Sequence, residues 1–133
     1  MVSCDRIMNV SVADRDIICQ SKAEVTEIIR SCAASLQGGE IWMSSEDGPY
    51  PCLSILIKGE YACCHYFKND EGEVWQSCGD LNEEVVFLAD GGEWNAPEYV
   101  IISLEKAIDC MEGFWDTLER PKCVEWDALW EDG

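Results

Sequence analysis

Two neighbouring runs constrain this chain more than any other feature: Cys52-Leu53-Ser54-Ile55-Leu56-Ile57 and Tyr61-Ala62-Cys63-Cys64-His65-Tyr66-Phe67, separated by Lys58-Gly59-Glu60. Both are rich in strand-forming residues, and a short break containing glycine reads as a hairpin turn. Side chains alternate across a strand, so Leu53, Ile55 and Ile57 share one face while Cys52, Ser54 and Leu56 share the other. In the second run Tyr61, Cys63, His65 and Phe67 oppose Ala62, Cys64 and Tyr66. The first strand thus has one wholly apolar face and one mixed face. A lone hairpin is marginal in water, so this pair must recruit more strands and at least one covering helix.

The rest of the chain supplies both. Ile7 to Cys19 reads as a strand or a loose pair broken near Asp14-Arg15-Asp16. Ser21 and Glu24 have the spacing of a capping box, and Val25, Ile28, Ile29, Cys32 and Leu36 then recur at three- and four-residue steps. That pattern predicts an amphipathic helix over 22–36, ended by Gly38-Gly39. Glu40 to Ser45 is a short strand, Asp47-Gly48-Pro49 a turn, Asn69 to Gly72 a second turn, and Glu73 to Ser77 a further strand. Glu84 to Leu88 forms another short strand, and Trp94 to Pro97 reads as a loop. Leu104, Ala107, Ile108, Met111, Phe114, Trp115 and Leu118 mark the buried side of a second helix starting near Ser103, with Pro121 as its stop. Val124 to Trp130 reads as a last strand or an extended arm. The expected architecture is a single α+β domain over 1–133: a central antiparallel sheet of four to six strands and two main helices. If both helices share one sheet face, the other is left to solvent or a partner.

With 133 residues, 47% of them hydrophobic, the chain can bury one sizeable core. No run reaches the length of a membrane span and the start lacks a secretory pattern, so the protein is expected to stay in the cytoplasm. Nine cysteines could suggest a disulfide scaffold, but the number is odd and the spacing irregular, which favours reduced, mostly buried thiols. Charge is the clearest functional clue. Against 27 Asp and Glu stand 9 Lys and Arg, a formal net charge of −18. That field repels nucleic acid and anionic membrane and steers a basic partner inward. Its distribution sharpens the point, because Asn69 to Glu105 contains no Lys or Arg.

Motifs for catalysis are absent. The single histidine, His65, could act as a base with Cys63 or Cys64, but a partly buried strand histidine with a local hydrogen bond accounts for it more simply. Cys63 and Cys64 point to opposite faces, no C-x-x-C pair occurs, and the acidic turns lack calcium-loop spacing. No metal, no cofactor and no catalytic residue is expected. Trp42, Trp75 and Trp115 sit in periodic elements and read as core; Trp94, Trp126 and Trp130 could anchor a partner or pin loops to the body.

The order of the pieces carries a resemblance. The helix before Gly38-Gly39, the strand with Trp42, the runs Pro51 to Ile57 and Ala62 to Phe67, the helix with Ala107 and Phe114-Trp115, and the ending Pro121-Lys122-Cys123-Val124-Glu125-Trp126 together resemble the Imm1 family of bacterial immunity proteins. Within that family the chain is similar to those that neutralise double-stranded-DNA cytosine deaminase toxins. The likeness covers about 20–130. It implies a non-enzymatic protein, encoded beside a secreted toxin, that binds the toxin domain one to one and blocks its active site. The partner would be a cognate toxin domain with a basic cleft, a deaminase or a nuclease. The alternative is an acidic adaptor with a non-toxin partner. The expected toxin-binding residues are the acids of the basic-free segment: Asp70, Glu71 and Glu73 in one turn, Asp80, Glu83 and Glu84 in the next loop, and Asp90 and Glu93 beside Trp94. Asp127 and Trp130 in the acidic tail complete the set.

Overall fold

A computed structural model describes residues 7–12, 15–36, 38–46, 48, 50–69, 71–79, 83–89 and 92–129. Along them run β1 (Met8–Val12), β2 (Arg15–Cys19), α1 (Lys22–Ala34), β3 (Gly39–Ser45), β4 (Cys52–Lys58), β5 (Tyr61–Phe67), β6 (Val74–Cys78), β7 (Val85–Ala89) and β8 (Gly92–Ala96). A single 3-10 turn at Glu98–Val100, β9 (Ile102–Ser103), α2 (Leu104–Thr117) and β10 (Glu125–Ala128) follow. Seven strands lie in the order β10-β6-β5-β4-β3-β1-β2, and β9 joins β5 as an eighth. All pairs are antiparallel. The expected α+β architecture is present, with a sheet wider than the four to six strands anticipated. The extra width comes from the first segment, which forms the hairpin β1–β2, and from the tail, whose β10 extends the far edge.

The apolar face of the central hairpin sets the core. Ile55 lies opposite Ile41 and Cys64, and Leu53 opposite Met43 and Tyr66, so their side chains stack in rows across β3, β4 and β5. α1 covers these rows with Val25, Ile29 and Cys32, and α2 with Leu104, Ala107, Ile108, Met111, Phe114 and Trp115. Each large side chain fully removed from water there contributes about 1.5–3 kcal/mol. Both helices start as the sequence directs: Ser21 Oγ accepts from Glu24 N–H at 3.2 Å and Ser103 Oγ from Lys106 N–H at 3.2 Å. The helices lie antiparallel, side by side, with Lys22 paired to Asp116 at 2.8 Å and Arg30 to Glu105 at 3.3 Å. Exposed pairs of this kind contribute little, about 0–1 kcal/mol each.

Three boundaries differ from expectation. α1 ends at Ala34 with Ser35 extended, so Leu36 falls past the helix and is 94% exposed instead of core. α2 closes three residues before Pro121: Leu118 turns left-handed at φ 59°, its N–H bonding Phe114 C=O at 2.7 Å. Trp94 lies mid-strand in β8, not in a loop.

A further device joins the sheet to the segment before α2. β5 pairs with β6 only over 65–67 and with β9 only over 61–62. Between those stretches the Cys64 N–H bonds Ser77 Oγ at 3.1 Å, and the same hydroxyl donates to Val100 C=O at 2.9 Å. One buried hydroxyl thus satisfies backbone groups on two segments. Next to it the chain passes so close that a Cβ on Gly79 would sit 1.6 Å from the Ile101 carbonyl oxygen, so only glycine fits.

Candidate functional site

Because both helices pack on one face, the residues of opposite parity along the same strands look the other way. Cross-strand partners on this second face line up as a row: Asp16 of β2, Ser11 of β1, Trp42 of β3, Ser54 of β4, His65 of β5, Gln76 of β6 and Asp127 of β10. The row is acidic at both ends and aromatic in the middle. The hairpin β7–β8 covers part of this face as a small second sheet, burying Val85, Phe87 and Ala96 with Leu56, Cys63, Val100 and Ile101. The rest stays open. At the lid's margin lies a cavity of about 220 Å³ lined by Glu40, Trp42, Ser54, Leu56, His65, Phe67 and Trp94.

Aromatic rings run continuously through this site. Trp42, 38% exposed, lies 5.1 Å from Phe67 between ring centres. His65 is 6.4 Å from Phe67 and 6.1 Å from Trp94, and Trp94 stacks on the buried Phe87 at 6.3 Å. Alternation in β8 turns Trp94 inward while Glu93 is left exposed. Gln76 Nε2 lies 3.0 Å from His65 Nε2; an amide nitrogen only donates, so His65 Nε2 accepts and its proton sits on Nδ1. Burial lowers the His65 pKa to about 4 from 6.5, so the ring is uncharged at neutral pH.

This chemistry does not suit turnover. Burial pushes the Cys63 thiol up to about 12. A thiol that keeps its proton beside an imidazole that refuses one is no nucleophile and base pair. The eight described cysteines are all free thiols, and among the described residues no three His, Cys, Asp or Glu side chains gather as a metal site. Two larger cavities lie along the segment leading to β10, one lined by Cys78, Lys106, Cys123 and Glu125, the other by Glu119, Arg120, Lys122 and Trp126. Both mix charges of opposite sign. No described helix is long and apolar enough to cross a membrane.

The described residues of the set expected to bind the toxin are spread over several elements. Glu71 is exposed in the β5–β6 turn, its N–H bonding Asn69 Oδ1 at 2.9 Å. Glu73 is half-buried there, 3.6 Å from Lys68 Nζ and accepting from Asn69 Nδ2 at 3.4 Å, so it serves the turn. Glu83 and Glu84 are exposed ahead of β7, and Glu93 on the lid. Asp127 is exposed on β10, in register with Gln76. Asp70, Asp80, Asp90 and Trp130 lie outside the described residues. Of the described members of the expected set, Trp94 alone lines the groove. Glu40, Trp42, His65 and Phe67 line it too, and reasoning from sequence did not assign them to a site. The signal for Trp42 was available: it alternates with Ile41 and Met43, both buried, and must face away from them. Trp126 takes the structural part, its Nε1 donating to Pro121 C=O at 2.7 Å.

Among the described residues, Lys22 and Arg30 lie on α1, Lys106 on α2, Arg120 and Lys122 in the segment after α2, Arg15 at the start of β2, Lys58 at the end of β4 and Lys68 just after β5, and none of these lines the groove. Glu40 is the one charged residue among those described as lining the groove.

A family model described as "Immunity protein Imm1" matches residues 13–128, most of the chain and close to the extent expected from the order of its elements. No curated protein matches it.

Proposed function

The chain belongs to the Imm1 family of immunity proteins, and we propose that it occupies the basic cleft of a cognate toxin domain and blocks the active site there. Family members are non-catalytic and partner a toxin, so the role is inhibition by binding. In the proposed reading the toxin acts on DNA, as a cytosine deaminase or a nuclease, and is met one to one in the cytoplasm.

The observation that carries this reading is charge. The net charge is −18, and the stretch from Asn69 to Glu105 holds no Lys or Arg. Glu71, Glu83, Glu84 and Glu93 in that stretch are exposed, on turns and on the lid hairpin. A cleft shaped to hold phosphates is positively charged, and carboxylates on a rigid frame can take the phosphates' place while speeding encounter. The test is co-purification with the toxin domain encoded beside this chain, then reversal of Glu83, Glu84 and Glu93 together to Lys. We expect association at low salt to slow at least tenfold and its salt dependence to flatten. A folded triple variant with unchanged rate, salt slope and protection of cells would remove this surface from the interface.

A further inference from the structure

We propose that the groove between Trp42 and Trp94 is a receptor for an arginine side chain of the protein partner. The inference rests on the binding role given above and names the chemistry at one point of that interface. Its volume, about 220 Å³, falls below the roughly 300–1,000 Å³ of small-molecule sites and suits one side chain. Trp42 and Phe67 form one wall, 5.1 Å apart between ring centres, and Trp94 faces His65 at 6.1 Å. Ring faces attract cations, tryptophan most strongly, and the more so when desolvated. The imidazole of His65 is uncharged near neutrality and does not oppose a cation.

Charge selects among occupants. An anionic side chain would meet the field of a −18 chain. An apolar side chain would fit the rings but gain nothing from that field. Arginine uses both, because its guanidinium is flat, weakly hydrated and able to stack while hydrogen-bonding at its edges. The protein already makes the same contact internally: the Arg120 guanidinium lies 4.7 Å over the Trp75 ring.

Two measurements test the proposal. The first needs no toxin: a capped Gly-Arg-Gly tripeptide is titrated into the wild-type protein while the indole N–H signals of Trp42 and Trp94 are followed by NMR. The uncharged Gly-citrulline-Gly analogue serves as control. The arginine peptide should shift both signals in a saturable, concentration-dependent way, and the citrulline peptide should not. Equal shifts with both peptides, or none with either, overturn the proposal. The second uses the toxin domain. Trp42→Leu keeps an apolar side chain but removes the ring and should weaken the complex at least tenfold, whereas Trp42→Phe should stay within threefold. A Trp42→Leu protein that binds as wild type also overturns the arginine site, and leaves the inhibitory role intact if wild type protects cells. Failure of wild type to bind the toxin refutes the inhibitory role instead, and the tripeptide result still decides the groove.

Discussion

The two faces of the central sheet are built from the same strands, one residue apart, and they solve different problems. On the helix side Ile41, Leu53, Ile55 and Ile57 are fully removed from water in one core cluster with residues of both helices. On the other side the lid hairpin buries Leu56 and Cys63 but stops short of Trp42, which keeps 38% of its surface exposed. The first face is complete within the chain. The second is unfinished, since large ring surfaces remain in water where a third layer could lie. The two faces thus differ in how far the chain itself covers them.

The strongest way to break this comparison is to truncate one large ring on each face. Phe114→Ala opens a cavity in a core that cannot fully collapse and should cost about 3–5 kcal/mol in urea unfolding. Trp42→Ala should change stability by no more than about 1 kcal/mol. Comparable losses at both positions would show that the open face stabilises the fold as much as the closed one.

The next effect is a pH dependence assigned to the open face. The folded chain holds His65 near pKa 4, whereas the unfolded chain has the ordinary value of 6.5. Between those values the unfolded state binds the proton and the folded state does not, so stability is full above pH 6.5 and falls toward pH 4. The loss amounts to about 3 kcal/mol at the lower end. Gln76, Phe67, Trp94 and Ser54 surround the ring, with Glu40 in the same groove. Carboxylates titrate over part of this range too, so the quantity to measure is wild type minus His65→Gln. That difference should shift by about 3 kcal/mol between pH 7 and pH 4; a constant difference contradicts a neutral, desolvated imidazole.

The smallest effect sharpens the closed face. Leu36→Ser should leave stability within about 0.5 kcal/mol, because the side chain lies beyond α1 at 94% exposure. A loss above about 2 kcal/mol would restore Leu36 to the helix stripe.

These faces were unequally legible in the sequence. Alternation in Leu53, Ile55 and Ile57, and helical spacing in Val25, Ile29 and Cys32, identify the closed face directly, because burial on one side leaves a periodic apolar trace. The open face leaves no such trace. Trp42 looks like core by composition, and its direction follows only once Ile41 and Met43 are known to point at the helices. Trp94 was hidden by flanking glycines, asparagine and proline, which read as a loop although β8 pairs fully with β7. The hydroxyl of Ser77 bridges segments far apart in sequence, and no local pattern announces that. Leu36 shows the opposite failure: it keeps the helical spacing after the helix has ended.

The in-register row from Asp16 to Asp127 has a consequence for how such a protein can change. Each of its members is flanked in sequence by residues of the opposite face, so the gene interleaves two texts, one letter apart. In the recognition proposed above, mutation at Trp42 or Gln76 can rewrite its text while the neighbouring letters, which hold the fold, stay as they are. A lineage under pressure to follow a changing opponent could exchange partners by editing alternate codons on one frame, with no need to rebuild the frame itself.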